Sequence, residues 1–229
     1  MSPTVSAMRS RIVLGFVLVA MAACAQRKEW ERPVRQPARG GRGAVAAGSE
    51  TAAEAGMRVF HTGGNAVDAG VATMFAASVT EFSHFGFGGE APILIRTKAG
   101  KVVAIAGVGT MPKAATAELF RTRRLRPFEV MQLDPGGLSG IIPVAGIMPA
   151  LVPSMVESAL VALREFGTKP LAEVMAPAIE LADGYPIDEQ RSQSIARSRQ
   201  FLDVWPDSKK HWMPEGRAPA PGEIFRQPD

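Results

Sequence analysis

The run Gly63-Gly64-Asn65-Ala66-Val67-Asp68-Ala69 constrains this chain more than any other, because it ends one helix and starts the next within a single tight turn. Upstream, Thr51-Ala52-Ala53-Glu54 has the spacing of a capping box, and Ala53, Met57 and Phe60 recur at helical spacing. A glycine pair after the last periodic residue lets the chain enter the left-handed region without a Cβ penalty. Asn65 can then accept a backbone N–H of the following helix, and Asp68 falls in its first turn, where the macrodipole favours an anion. Val67, Val71, Met74 and Ser78 define the expected stripe of that second helix. The predicted unit is a helix–turn–helix joint with a close-packed elbow.

Charge is informative only when divided along the chain. The net charge of +4 and pI near 9.6 suggest a polyanionic partner. Eight basic and two acidic residues lie at or before Gly43, however, whereas the remainder carries 18 basic against 20 acidic. A body of nearly neutral charge has no footprint for a phosphate backbone, so nucleic acid is not an expected partner. The basic stretch reads as an export leader instead. Arg9 and Arg11 precede an apolar run from Ile12 to Ala23, too short for a membrane span of about 20 residues. Met21-Ala22-Ala23-Cys24 resembles a lipobox, in which the cysteine is lipidated. Residues 1–24 are therefore expected to be a signal peptide of lipoprotein type with Cys24 as lipid-attachment site, a plain secretory signal being the alternative. As the only cysteine, Cys24 leaves no intramolecular disulfide. Residues 25–43, rich in Arg, Pro and Gly, suit a solvated tether able to lie against anionic headgroups. The expected location is the periplasm or cell envelope, anchored to the membrane through the lipid.

Beyond the elbow, Gly86-Phe87-Gly88-Gly89-Glu90-Ala91 formally fits the dinucleotide fingerprint, but the context is inverted, with a helix before it and a strand after. Close backbone approach at the mouth of a strand is the better reading. Ile93–Arg96 and Val102–Ile105 flank Thr97-Lys98-Ala99-Gly100 as a hairpin. Loops and short strands are expected over 125–153, then a helix with Val156, Leu160 and Leu163 on one face and Gly167 at its end. Another should run over 170–182, broken or bent at Pro177, and a last one from after Ser192 to Asp203.

Motifs alone assign no reaction. His61, His84 and His211 are scattered, no metal-ligand spacing occurs, and no cofactor is implied. Ser139 in Gly-Gly-Leu-Ser-Gly misses the nucleophile-elbow spacing. His84 beside the glycines could serve as a base, but has no identifiable partner. Asp68 and Glu90 could be site carboxylates, although helix capping and a solvated loop end explain them equally well.

Five pieces in order resemble the N-terminal part of the large subunit of γ-glutamyltransferases. They are the stretch from Ala52 to Ala69, Gly86–Gly89, Ile93–Gly107, Ala162–Ile187 and Ala218–Asp229. The resemblance implies an α+β fold, an incomplete N-terminal-nucleophile hydrolase αββα sandwich holding the large-subunit portion over residues 44–229. It also implies transfer or hydrolysis of γ-glutamyl groups by a threonine at the head of a separate small subunit. Its own amine serves there as base, and backbone N–H groups hold the oxyanion. No catalytic residue is thus expected within this chain, which alone should be inactive. The expected partners are a γ-glutamyl compound or other small amide and the small subunit. An inactive fragment, or a non-catalytic envelope lipoprotein, is the alternative. Two departures stand out. Val108 occupies the place of a family arginine that grips the substrate α-carboxylate, and Glu90, Ala91 and Pro92 replace glycines and an aromatic. A carboxylate there opposes an α-carboxylate, so an amide acylase of related type is also compatible.

Overall fold

The computed structural model describes residues 39–123, 143 and 146–228, and those from Gly40 onward belong to one unit. The first helix, α1 (Glu50–His61), starts two residues earlier than the capping-box reading placed it. Ser49 is the N-cap, its hydroxyl accepting from the Ala52 N–H at 3.2 Å, and Thr51 donates to that same hydroxyl. The buried face is also displaced: Ala52, Ala55, Gly56 and Val59 are inside, while Ala53, Met57 and Phe60 are half-buried flanks. The cause is proximity to α2 (Ala66–Thr80). A Cβ at Gly56 would sit 2.8 Å from the Ala69 carbonyl, so only small residues fit the crossing.

At the elbow the two glycines do different work. Gly63 has φ 87°, and its N–H bonds to the Phe60 carbonyl. Gly64 bonds to the Val59 carbonyl, which a Cβ would approach to 2.9 Å. The expected joint is present, and α2 enters through a full capping box. Asn65 Oδ1 accepts from Val67 and Asp68, while Asp68 Oδ2 accepts from the Asn65 N–H. Val71 and Ser78 of the expected stripe are buried, but so are Ala69, Ala72, Phe75, Ala76 and Val79. The helix is enclosed on nearly all sides, and a stripe is what a helix with one covered face shows.

Two further helices pack on α2. These are α4 (Met155–Phe166) and α5 (Leu171–Asp183), which follow a short α3 (Ala117–Thr122) that the sequence pattern did not reveal. In α4 the face inside is Met155, Ser158, Ala159, Ala162 and Leu163, with Val156 outside and Leu160 at the margin. Pro177 neither ends nor divides α5, which continues through it to Asp183 with the proline ring buried. Gly184, at φ 152°, makes the exit.

The chain then forms β3 (Tyr185–Pro186), α6 (Glu189–Arg197), α7 (Arg199–Leu202), α8 (Pro206–Trp212) and β4 (Ile224–Phe225). The single helix expected from Ser192 is two helices divided at Ser198, the first capped four residues earlier by Asp188. The helix α8 also escaped the sequence pattern. β4 pairs antiparallel with β3, Tyr185 opposite Phe225. Gln227 then closes on α2, its Nε2 donating to the Val79 carbonyl at 2.9 Å.

The hairpin lies where expected: β1 (Ile93–Arg96) and β2 (Val102–Ile105) pair antiparallel, Ile93 opposite Ile105 and Arg96 opposite Val102. Ile95 faces the helical core, whereas Leu94 is 77% exposed. Cys24, the leader, the tether up to residue 38, and most of the expected loop region at 125–153, including Ser139, lie outside the described residues.

Candidate functional site

Three loops converge beside the hairpin, and most of their hydrogen bonds are backbone to backbone. The glycine loop after α2 brings the Gly89 carbonyl to the start of α4, where it accepts the N–H groups of Ser154 (3.2 Å) and Met155 (3.1 Å). Those donors are orphans of a helix N-terminus, so one loop carbonyl caps the helix. The loop leaving β2 is tied in turn: Ala91 N–H donates to the Gly107 carbonyl at 2.9 Å, and Ser154 Oγ donates to that carbonyl at 2.6 Å. Gly107 has φ 56°, and a Cβ there would collide with the Ala91 carbonyl. Three residues on, an isolated antiparallel bridge pairs Thr110 with Val152, whose N–H donates to the Thr110 carbonyl at 2.9 Å.

Between these ties sit the two residues singled out from the sequence, and the structure brings them together. Glu90 Oε1 accepts the Gly109 N–H at 2.8 Å, immediately after Val108. Gly109 permits this convergence, since a Cβ would come within 2.7 Å of the Val152 carbonyl and 3.3 Å of Glu90 Oε1. Val108 and Met111 are each 55% exposed, with Phe87, Leu151 and Val152 also turned outward. The result is an apolar surface with one carboxylate fixed at its edge. This contact spans 19 residues, and the glycines at 107 and 109 were its only trace in the sequence.

Asp68 belongs elsewhere. Its carboxylate is fully buried, with Oδ1 accepting the N–H groups of Thr168 (2.8 Å) and Lys169 (3.1 Å), and Oδ2 the Thr168 hydroxyl (2.6 Å) and Asn65 N–H (2.7 Å). Burial pushes the carboxyl upward, but the Thr168 hydroxyl and the N–H groups of Asn65, Thr168 and Lys169 outweigh it and hold it below the usual carboxylate value. With Asn65 Nδ2 donating to the Phe166 carbonyl at 2.7 Å, this carboxylate staples the α1–α2 elbow to the α4–α5 elbow. The capping reading holds, and the long-range partners at 166–169 are what it lacked.

The histidines do not meet. His84 is exposed, its Nδ1 2.8 Å from Ser83 Oγ. His61 lies in the last turn of α1, and His211 packs edge-on to Trp212 with ring centroids 4.7 Å apart. Among the described residues no group of His, Cys, Asp and Glu could hold a metal ion.

A helical layer around α2, a hairpin set against it and a glycine-rich loop at the hairpin's mouth define the large-subunit side of an N-terminal-nucleophile hydrolase fold. Residues 52–229 match the γ-glutamyltranspeptidase family, and the chain belongs to it. It is 34% identical over 196 residues to the acylase ACY 1 proenzyme of Pseudomonas sp. (strain SE83), covering 85% of this chain and 34% of that protein. The glutathione hydrolase proenzyme of Escherichia coli (strain K12) is 31% identical over 199 residues, covering 86% of this chain and 32% of the relative. The chain thus spans about a third of the length of these relatives. The γ-glutamyltranspeptidase of Helicobacter pylori superposes with a TM-score of 0.73 at 26% identity, over 84% of this chain and 52% of the other.

Proposed function

We propose that this chain forms the large-subunit layer of an amide-cleaving enzyme that hydrolyses or transfers γ-glutamyl groups. The family match over residues 52–229 carries the reading, and the likeness to a γ-glutamyltranspeptidase structure supports it. In this reading the nucleophile is a threonine of a small subunit, its own amine acting as base. This chain's residues shape the wall on the acyl side of the scissile bond: Glu90, Gly107, Val108 and Gly109, held by the Gly89 and Ser154 ties. Such positioning matters because reacting atoms must be held within a few tenths of an ångström of the productive geometry. The test is to express the complete gene product, follow self-cleavage by denaturing electrophoresis and measure p-nitroaniline release from γ-glutamyl-p-nitroanilide. Self-cleavage with turnover supports the reading; an intact chain without turnover sinks it.

A second reading, an amide acylase, is favoured by Val108 beside Glu90, where an arginine would bind an α-carboxylate bidentately. The similarity to an acylase proenzyme points the same way. For location, the leader ending at Cys24 supports export and lipid anchoring at the cell envelope. Membrane fractionation of wild type and Cys24→Ala tests this: release of the variant to the soluble fraction is expected, and unchanged membrane retention speaks against the anchor.

A further inference from the structure

We propose that Glu90 is a specificity-determining residue whose free carboxylate oxygen receives an ammonium group on the acyl chain of the substrate, making the preferred donors amine-bearing acyl amides that need no α-carboxylate. The inference rests on the amide-cleaving reading above and names the substrate class for the same site.

The geometry is specific. Oε1 of Glu90 is fixed by the Gly109 N–H at 2.8 Å, which pins the carboxylate against the loop while Oε2 has no partner among the described residues. No cation pairs with this carboxylate among the described residues, although nine ion pairs elsewhere, such as Arg58–Glu180, show how readily this chain neutralises its acids. The neighbouring chain is apolar: Val108 precedes the Gly109 that holds the acid, Val152 backs that glycine, and both side chains are exposed without a donor for an anion. A fixed carboxylate at the edge of an apolar surface attracts a cation carried on a short methylene chain, and it repels a second carboxylate. Gly107 and Gly109 hold this arrangement in place, since a Cβ at either would strike a backbone carbonyl of the adjoining loop.

Four anilides separate the charges: the p-nitroanilides of γ-glutamyl, glutaryl, 4-aminobutyryl and butyryl groups, assayed on the complete gene product. The expected order places 4-aminobutyryl about tenfold above butyryl in kcat/KM, and butyryl above glutaryl, as one charge-assisted contact supports. Glu90→Gln, which keeps an oxygen for the Gly109 N–H, should erase the first difference and raise glutaryl turnover. Val108→Arg should raise the glutaryl and γ-glutamyl rates relative to butyryl. Glutaryl exceeding 4-aminobutyryl in the wild type, or a Glu90→Gln variant with an unaltered order, overturns the proposal and leaves the amide-cleaving reading standing. If no anilide is cleaved, the amide-cleaving reading falls. Calorimetric binding of 4-aminobutyramide against glutarate monoamide then decides the matter: tighter binding of the cation, lost in Glu90→Gln, upholds the carboxylate's role, and equal binding overturns it.

Discussion

The two loop junctions of this molecule are built on opposite plans. Where the α1–α2 elbow meets the α4–α5 elbow, a carboxylate is sealed from water and every contact it makes is internal. Beside the β1–β2 hairpin, the ties are mainly backbone hydrogen bonds between three loops, joined by the side chains of Ser154 and Glu90, while Val108, Met111 and Leu94 point outward. Between α2 and β1 an apolar groove of about 530 Å³ stays open, lined by Val67, Val71, Met74 and Ile93. A carboxylate used for structure is hidden and saturated, whereas the one at the loop surface keeps an oxygen to offer. Position alone does not separate Asp68 from Glu90; partner count does.

The strongest way to break this contrast is to remove the buried acid. Asp68→Ala leaves the N–H groups of Thr168 and Lys169 without an acceptor in a dry site, and a loss of about 3 kcal/mol is expected in urea unfolding. A loss below about 1 kcal/mol would show that water replaces the carboxylate freely. The same group sets a pH response. Because its folded-state pKa is lowered, its contribution is complete above the unfolded value and disappears as pH falls through the lower folded value. Unfolding followed from pH 5 downward should therefore show acid destabilisation that Asp68→Asn reduces.

Next in size is Gly107→Ala, which meets both a positive φ and the Ala91 carbonyl and should cost about 2 kcal/mol. If Glu90 depends on this loop as described, the variant also blurs the acyl preference, measurable in the same anilide series. Gly63→Ala tests φ alone, since open space surrounds it, and about 1 kcal/mol is expected. A larger cost at position 63 than at 107 would reverse the assignment of crowding to the site loop. The smallest effect belongs to Arg58–Glu180, bonded at 2.6 and 2.9 Å but well exposed. There Glu180→Gln should change stability by less than about 0.5 kcal/mol, read from the same urea transitions.

The glycine elbow, the Asn65–Asp68 cap, the hairpin strands and the family could all be read from the residues, because each depends on neighbours within a turn or on a run of matching segments. The buried faces of α1 and α4 could not. Pattern reading favours the large side chains Met57, Phe60 and Val156, but close helix crossings select Gly56, Ala159 and Ala162. The break allowed for at Pro177 is absent for a similar reason: its local cost is offset by burial on a helix packed against α2.

At the candidate site the sequence alone determined the residue types: a valine at position 108 and a glutamate in the glycine loop. Only the tertiary structure decided that the two share one surface, with Glu90 anchored to Gly109 and Asp68 withdrawn to a staple. The physical reason is range. Turns, caps and strands are set by atoms a few residues apart, whereas a carboxylate's role depends on which donors from distant loops reach it first.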